Sequence, residues 1–532
     1  MTCQKTFPNR GDQMYKRFRG LYLQLFVLLA LGLGACQTPQ PATSTTAAKE
    51  DPIEFIILQL NDVYEIAPLE GGKFGGLARV ATLKKQLLRE NPNTIAVLSG
   101  DFLSPSFIGT LRMDDGDRIA GLQMVETLNA MGMDYVTFGN HEFDLSNVEV
   151  LKKRIDQSDF RFVCANAKLV ENGMTKSFSQ KGAAVPDYVI HEIRNAGGDL
   201  MKLAITGLVL PFAKQDYVEY LPVEETFRKV SAEMEEVADV SVALTHLAAR
   251  DDIALAKAVP GFPLFMGGHE HVNMSFYIEN TVITKADANA KTAYVHRGTY
   301  YPSTGQVSLR SSLITIDDKL AEDPATKVVV DKWLGAVDDI AQNMGFNPAR
   351  ELMVAEQTLI CTEALIRSQP TNYGGLTTRA FEAVWPDADV YLLNSGSMRL
   401  DDNLEGTVTE YDVLRTYPFG GPIVKMELHG EEMGKLLKTG LFLNKGEGGY
   451  FQTLYVQPAG QTFTVKGETI DPGKTYSVVL PQFVAEGKEA NLEFLADHKF
   501  ETQKTFNTAD GKTVNNDMRN IVIYFMDKIG RF

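Results

Sequence analysis

The segment Gly139-Asn140-His141-Glu142-Phe143-Asp144 places an amide, an imidazole and two carboxylates within six residues. It follows an apolar run at 135–138 that predicts a buried strand, and it precedes a stretch at 147–154 that predicts a helix. The polar residues are therefore expected on a turn at the carboxyl end of a strand, where open α/β sheets bind their ligands. Taken alone, the segment equally fits an ordinary turn capped by an asparagine, so its meaning depends on the rest of the chain.

Side chains that commonly bind metal ions follow several other predicted strands. These side chains, together with the asparagine of the first segment, are Asp62, Asp101, Asn140, His246, His269 and His271. A single histidine after a strand is more often an ordinary core or surface residue than a ligand. Five strand ends that all deliver carboxylate, amide or imidazole groups are hard to obtain by chance, and four of the eight histidines of the chain lie in these motifs.

This set of groups suits phosphoryl chemistry. Two metal ions about 3.5–4 Å apart can clamp a phosphoryl group and lower the pKa of a bound water toward about 7. Asp101 is the natural carboxylate to bridge two such ions. His141 is the candidate to protonate the leaving oxygen or to stabilise developing charge. Asp144, three residues further on, can hold the imidazole ring and raise its basicity.

The elements that must position these residues alternate between strands and helices. Apolar spacing predicts helices at 77–88 and 119–131 between the strands, which indicates βαβ units and a layered α/β domain. After a polar break at 317–318, residues 324–344 predict one long helix that connects to a second domain. Helices and strands mix again beyond about residue 352, which predicts a smaller α/β domain.

Composition limits the possible partners. The chain has 532 residues, enough for two or three domains, and a formal net charge of -16. Such an acidic chain is a poor candidate for binding a nucleic acid polymer or an anionic membrane surface. A small anion held by metal ions or by a few arginines remains compatible with this charge. Oligomeric state is left open by the sequence.

The N-terminus predicts a targeting segment. Basic residues at 16, 17 and 19 precede an apolar stretch at 21–34, which is short for a membrane span and ends at Leu33-Gly34-Ala35-Cys36. This arrangement resembles a bacterial lipoprotein signal at 1–36, which implies a lipid-modified Cys36 and a membrane anchor in the cell envelope, on the periplasmic or extracellular face. An uncleaved anchor helix is the alternative. Residues 37–52 are rich in Pro, Thr and Ala and predict a disordered tether.

The order and context of the motifs resemble the calcineurin-like metallophosphatases, and most closely the 5′-nucleotidase / UDP-sugar hydrolase family. The motifs are Asp62, Gly100-Asp101, Gly139-Asn140-His141-Glu142, His246 and Gly268-His269-Glu270-His271. The resemblance implies an α/β fold with an N-terminal four-layer β-sandwich flanked by helices at 53–320. It further implies a linker helix at 321–350 and a smaller α/β substrate-binding domain at 351–532.

The same resemblance implies two divalent metal ions, for which Zn, Mn and Fe all suit mixed nitrogen and oxygen ligands. One ion would be held by Asp62, Asp101 and His271. The other would be held by Asp101, Asn140, His246 and His269. His141 and Asp144 would form the catalytic dyad.

One position departs from the family pattern, because Tyr64 stands where the family has a histidine two residues after the first aspartate. A neutral phenol, with a pKa near 10, is a poor metal ligand. The first metal could be weaker and supplemented by water, or a phenolate could bind Fe³⁺ as in the related purple acid phosphatases, or Tyr64 could pack without binding. We favour the first and third possibilities together.

The second domain carries residues that resemble the nucleotide-binding residues of the family. Their positions are Arg367, Asn394 and Arg399 for polar contacts, Phe419 and Phe483 as a pair that stacks on the base, and Glu489 for the ribose hydroxyls. Glu489 departs from the aspartate that the family usually has there, within a Gly-Gly-Asp-Gly-Phe-like stretch. Preference for base and sugar therefore remains open.

The sequence favours hydrolysis of nucleoside 5′-monophosphates to nucleoside and phosphate by attack of a metal-activated water, for nucleotide salvage. Within enzymes, the alternatives are a UDP-sugar hydrolase and a 2′,3′-cyclic-nucleotide phosphodiesterase. Outside enzymes, the alternative is a surface nucleotide-binding lipoprotein with a degenerate first metal site. Tyr64 is the one feature that favours this last interpretation.

Overall fold

The computed structural model describes residues 52–113, 115–212, 215–460 and 462–532. Cys36, the predicted signal and nearly all of the predicted tether lie outside these residues. Within the described ranges, no helix has both the length and the apolar character that crossing a membrane requires. Below, "the N-terminal region" means residues 53–320 and "the C-terminal region" means residues 351–532.

Two six-stranded sheets form the centre of the N-terminal region. In spatial order, the first contains Gln306–Thr315, Thr292–Tyr301, Ile53–Leu60, Thr94–Leu98, Tyr135–Val136 and Arg161–Phe162. The second contains Tyr188–Arg194, Leu200–Val209, Val240–His246, Leu264–Gly267, Thr281–Lys285 and Met274–Ile278. The strands that precede the predicted ligands run parallel to their neighbours, so their carboxyl ends meet at one edge of each sheet.

Helices cover both outer faces of this pair of sheets, which confirms the predicted four-layer sandwich. Between the sheets lies an apolar core to which both contribute, including Ile57, Val97, Leu203 and Val242. The outer face of the first sheet packs against Leu77–Glu90, Leu122–Met131 and Val148–Gln157. That of the second packs against Val223–Glu235 and Ala249–Ala258.

Short elements complete the N-terminal region. They are the helical turns Phe107–Thr110 and His141–Asp144 and the strands Pro68–Leu69, Phe74–Gly75, Ala167–Glu171, Met174–Lys176, Ser179–Gln180, Ala183–Ala184 and Val218–Tyr220. The strand predicted at 135–138 is shorter than expected. Because it ends at Val136, residues 137–140 approach the site as a loop.

The helix predicted as the connector spans Pro324–Asn343. Asp323 caps it by accepting a hydrogen bond from the backbone amide of Thr326, and proline occupies its first turn, where a missing amide hydrogen does no harm. The helix packs against Leu77–Glu90 and Leu122–Met131. It therefore adds to the outer helix layer of the N-terminal region as well as leading to the next one.

The C-terminal region is built on a five-stranded mixed sheet. In spatial order its strands are Phe451–Leu454, Val390–Asn394, Thr475–Pro481, Ile423–His429 and Phe500–Glu501. The helices are Glu363–Ile366, Asn372–Val384, Glu410–Thr416, Gly430–Lys438, Gln482–Ala485 and Met518–Ile529, with shorter turns at Ser395–Ser397, Thr439–Leu443 and Glu493–Leu495. Smaller sheets are formed by Glu351–Ile360 with Asn403–Thr409, by Val456–Ala459, Thr462–Val465 and Glu468–Thr469, and by Thr505–Asn507 with Thr513–Asn515.

Candidate active site

Three predicted ligands from different strand ends form one buried cluster. Asp62, Asp101 and His246 each offer a ligand atom within 4.8 Å of the other two, and all three residues are buried. His246 Nε2 lies 3.2 Å from Asp101 Oδ2 and 3.9 Å from Asp62 Oδ1. The side-chain oxygen of Asn140 lies 3.2 Å from the same nitrogen. The structure thus brings these four predicted residues together.

The chemistry of this cluster fits a divalent metal ion. The Oδ1 atom of Asp62 is buried and has no hydrogen-bond partner among the described residues. His246 donates its Nδ1–H to the Ser99 carbonyl at 2.6 Å, which directs Nε2 toward the carboxylates of Asp101 and Asp62. Burial disfavours a charged ring, but the carboxylates of Asp101 and Asp62 outweigh it and raise the pKa of His246 to about 9. This negative field is the one that a metal cation would neutralise.

The backbone of the ligand loops adopts conformations that most residues avoid. Asp62, Asp101 and His269 have φ angles of 52°, 57° and 84°, in the left-handed region. Such conformations cost of order 1–3 kcal/mol each and persist only where the surrounding structure fixes them. Gly139 permits the close approach of two loops, because a Cβ atom there would lie 2.1 Å from Asp101 Oδ1.

His269 and His271 lie at the same cluster, on the loop that follows Leu264–Gly267. The backbone amide of His269 donates to Asp62 Oδ2 at 2.9 Å, and its ring centroid is 5.5 Å from that of His246. His271 Nε2 lies 3.5 Å from Asp62 Oδ1. The other three predicted ligands, Asn140, His269 and His271, therefore lie next to the cluster of Asp62, Asp101 and His246.

Tyr64 lies within this ligand set. Its hydroxyl donates a hydrogen bond to Asp101 Oδ2 at 3.0 Å and lies 3.1 Å from His271 Nε2. Burial, reinforced by Asp101 and Asp62, raises the pKa of the phenol well above its ordinary value. In this structure Tyr64 is thus a neutral donor that contacts two predicted ligands.

The predicted dyad is formed. His141 Nδ1 and Asp144 Oδ2 are 2.6 Å apart, and the backbone amide of His141 donates to Asp101 Oδ1 at 2.7 Å. On the other side of the ring, Arg399 Nη2 of the C-terminal region lies 3.0 Å from His141 Nε2. An arginine fork and an imidazole therefore face each other beside the candidate metal-binding cluster, which is an arrangement suited to a phosphoryl group.

Glu142 is a functional residue that the sequence interpretation did not single out. Its buried carboxylate accepts four backbone hydrogen bonds, from the amides of Asp101, Phe102, Leu103 and Gly139, at 2.6–3.0 Å. These bonds tie the loop that carries Asp101 to the loop that carries Asn140 and His141. In the sequence, the one feature that could have pointed to this role was an acidic residue within the segment 139–144, which also contains the candidate catalytic residues.

Lys285 plays a comparable part for the histidine loops. Its buried ammonium donates to the carbonyls of Leu247 and Gly268 at 2.6 and 2.7 Å, next to His246 and His269 in sequence. It also pairs with Asp252 at 3.0 Å and with Glu270. In the sequence, the feature that could have pointed to this role was the position of Lys285, a lysine at the end of the otherwise uncharged strand Thr281–Lys285.

The predicted nucleotide-binding residues of the C-terminal region divide into two groups. Asn394 donates to Glu489 at 2.7 Å, and Arg367 pairs with Glu363 at 2.8 Å. These polar residues are engaged with protein groups. The two phenylalanines differ, because Phe419 and Phe483 are 58% and 49% exposed, which leaves much of each ring available to a ligand.

Two family models match separate parts of the chain. The family described as "Calcineurin-like phosphoesterase" matches residues 55–273, and "5'-nucleotidase, C-terminal domain" matches residues 354–497. These matches cover all the predicted metal ligands and all the predicted nucleotide contacts.

Curated relatives have low but extended identity. The Trifunctional nucleotide phosphoesterase protein YfkN of Bacillus subtilis is 25% identical over 482 residues, which cover 78% of this chain but only 31% of that protein. The 5'-nucleotidase of Bos taurus is 23% identical over 515 residues, which cover 84% of this chain and 85% of that protein. The solved structure of a 5'-nucleotidase precursor from Thermus thermophilus has a TM-score of 0.70 at 20% identity, with 90% of this chain and 97% of that chain covered. At this identity, the solved structure supports the fold alone.

Proposed function

We propose that this chain is a metal-dependent hydrolase of nucleoside 5′-monophosphates. The chain belongs to the 5′-nucleotidase family, which joins a calcineurin-like phosphoesterase domain to a 5′-nucleotidase C-terminal domain. The products would be nucleoside and phosphate, as salvage requires. One observation carries the proposal: His141 Nε2 and Arg399 Nη2, from the two regions, lie 3.0 Å apart beside the buried cluster of Asp62, Asp101 and His246. We further propose the domain boundaries 53–320, 321–350 and 351–532, which the two family matches support.

The residues that would hold two metal ions are those that surround the cluster. Asp62, Asp101 and His271 would hold one, and Asp101, Asn140, His246 and His269 would hold the other. When bound, such ions neutralise charge on a phosphoryl group and make a bound water more acidic. Zn, Mn and Fe all suit this set of ligands, so the ligand types do not distinguish among these metals.

The dyad supplies the proton for the leaving group in this proposal. Asp144 holds His141 through Nδ1, so that Nε2 is the atom that faces the substrate. As a water oxygen bonds to phosphorus and the bond between phosphorus and the ester oxygen breaks, the His141 imidazolium delivers its Nε2 proton to that ester oxygen. Asp144 stabilises the imidazolium before this transfer. Arg399 binds a phosphoryl oxygen through its fork and holds the phosphoryl group against His141.

The C-terminal region would hold the nucleoside. The exposed rings of Phe419 and Phe483 would stack on the base, and Asn394 and Glu489 would contact base or ribose. Arg367, already paired with Glu363, would hold a further polar group of the nucleotide. Stacking tolerates any base, so these residues favour nucleotides without fixing which one.

A second candidate is hydrolysis of UDP-sugars or of 2′,3′-cyclic nucleotides. It is favoured by the name of the Bacillus subtilis relative, a trifunctional nucleotide phosphoesterase, which indicates activity on more than one kind of nucleotide ester in that relative. A binding protein without turnover is disfavoured, because nucleotide binding alone does not require a His141–Asp144 pair at 2.6 Å.

The test identifies the products formed by the full chain, as free phosphate and by chromatography of the nucleotides, after metal removal and reloading with Mn²⁺, Zn²⁺, Co²⁺ or Fe²⁺. The substrates are AMP, UMP, ADP, UDP-glucose and 2′,3′-cyclic AMP. We expect the highest kcat/KM on the monophosphates. Turnover of UDP-glucose alone, to UMP and glucose 1-phosphate, or of the cyclic ester alone, to a nucleoside monophosphate, would change the substrate and keep the hydrolase. Nucleotide binding without turnover under every metal would overturn the hydrolase.

Residues outside the described ranges carry a separate proposal about location. We propose that Cys36 is the lipidated first residue of a mature lipoprotein in the cell envelope, as its resemblance to lipoprotein signals implies. In membrane fractionation, Cys36→Ser is expected to move the protein from the membrane fraction to the soluble fraction or to leave an unprocessed precursor. An unchanged, correctly processed membrane protein would contradict this proposal.

A further inference from the structure

Asp401 belongs to the C-terminal region but contacts a predicted metal ligand of the N-terminal region. Nδ1–H of His271 donates to Asp401 Oδ2 at 2.6 Å, and the carboxylate of Glu363 lies 3.6 Å from the same nitrogen. Asp401 is mostly buried, and it follows Arg399 by two residues. One short segment therefore reaches both His141 and His271.

Several independent features hold the Asp401 side chain in this orientation. The backbone amide of Glu363 donates to Asp401 Oδ1 at 2.7 Å, which leaves Oδ2 for His271. Lys291 of the N-terminal region donates to the Asp401 carbonyl at 3.3 Å and to Asp402 at the same distance. Asp401 also has a φ of 46°, in the left-handed region, which aspartate enters more readily than most residues.

The contact determines which nitrogen of His271 faces the cluster. Because Nδ1–H is bonded to Asp401, Nε2 is the nitrogen that a metal ion would bind. That atom lies 3.5 Å from Asp62 Oδ1 and 3.1 Å from the Tyr64 hydroxyl. The carboxylate thus aims His271 at the buried oxygen of Asp62 that has no hydrogen-bond partner among the described residues.

We propose that Asp401 is a positioning residue for metal binding through His271, and that metal binding and the docking of the 399–402 segment stabilise each other. This inference rests on the part of the proposed function that makes His271 a ligand, and it requires no particular substrate. Carboxylates that orient a metal-binding histidine typically contribute 10- to 100-fold in metal affinity. By linkage, a metal ion that favours the docked segment must be bound more tightly when the segment is docked.

The test is a double-mutant cycle on Mn²⁺ affinity, measured by calorimetric titration of the metal-free full chain. Asp401→Ala is expected to weaken Mn²⁺ binding by about 10- to 100-fold in the wild-type background. In the His271→Ala background, the same change is expected to alter affinity by less than about twofold, because Asp401 acts through that ring. Glu405→Gln removes an exposed charge from the same stretch and is expected to leave affinity within about twofold.

A purely structural role would give different results. The proposal would be overturned if Asp401→Ala weakened Mn²⁺ binding equally in the wild-type and His271→Ala backgrounds, or if it weakened binding in neither. Asp401→Asn covers the case in which Asp401→Ala does not fold. Its amide oxygen still accepts from Nδ1–H but lacks the carboxylate charge, so Mn²⁺ affinity is expected to fall by less than in Asp401→Ala, and this loss must vanish in the His271→Ala background.

Hydrogen exchange supplies the second readout. Mn²⁺ is expected to slow exchange of the Glu363 amide, which bonds to Asp401, in the wild type and not in His271→Ala. Equal protection in both proteins would contradict the coupling. None of these measurements involves phosphate release, so failure of the proposed hydrolase activity and failure of this inference are distinguishable.

Discussion

The two ends of the candidate site are built differently. At the phosphoryl end, the ligand loops are buried and bound to one another through Glu142 and Lys285. At the base end, Phe419 and Phe483 expose about half of their surface. Phosphoryl chemistry depends on groups that are fixed before the substrate arrives, whereas stacking on a base tolerates adjustment. Under the proposed function, the contrast predicts that reaction type and base preference are set by separate parts of the chain.

This contrast predicts unequal effects of substitution. A change at the phosphoryl end should reduce hydrolysis of every phosphoester, including one without a base. A substitution at the base end should reduce hydrolysis of nucleotides and leave hydrolysis of a phosphoester without a base unchanged. The predictions below test that separation, beginning with the largest expected effect.

Asp101→Asn removes the charge of the proposed bridging carboxylate and keeps its size. Asparagine tolerates the left-handed backbone that Asp101 adopts, so the fold should survive. Metal charge stabilisation is worth several kcal/mol, so kcat/KM should fall by roughly 10³-fold or more on AMP and on p-nitrophenyl phosphate alike. Asp117→Asn, an exposed control, should change neither rate, and a loss restricted to AMP would break the separation.

Lys285→Met removes the ammonium that links the histidine loops. Asp252 and Glu270 would then lack their cation, and removing one partner of a buried ion pair costs about 3–5 kcal/mol. The free energy of unfolding in urea should fall by that amount, whereas Lys153→Met, at the surface, should leave it within about 0.5 kcal/mol. A loss below about 1 kcal/mol would mean that the phosphoryl end does not depend on this ammonium.

Phe419→Leu and Phe483→Leu test the base end. Loss of one stacking ring should cost up to about 1–3 kcal/mol, which raises KM for AMP by roughly 5- to 150-fold. Hydrolysis of p-nitrophenyl phosphate should be unchanged, because that substrate lacks a base. Tyr277→Leu provides a control at another exposed aromatic residue. Equal losses on both substrates would show that the rings support the phosphoryl end as well.

Much of the phosphoryl end follows from sequence because parallel strands place their carboxyl ends together. That rule places Asp62 and Asp101 at one edge of the first sheet, and the resemblance to the metallophosphatases implied that His246, from the second sheet, lies with them; the structure confirms that these residues meet. The layered α/β fold followed from the same alternation of strands and helices. Strand ends were less predictable: the run at 135–138 ends early at Val136, where the loop turns toward the site.

The residues that support the cluster were not predictable in the same way. Glu142 accepts hydrogen bonds from backbone amides. Because nearly every residue has such an amide, residue types do not reveal these partners. Lys285 and Asp401 act on residues that are 17 and 130 positions away, so only the folded chain brings them together. The helix Pro324–Asn343 was predicted correctly, but its packing against the first helices depends on tertiary contacts.

The most direct test of the central claim compares hydrolysis and nucleotide binding in His141→Asn. We expect kcat on AMP to fall by about 10²- to 10⁴-fold, because the proton donor to the leaving oxygen is lost. The Kd for AMP should stay within about threefold, and His498→Asn, at a histidine paired with Glu432, should change neither quantity. Unchanged turnover in His141→Asn would contradict the proposed active site.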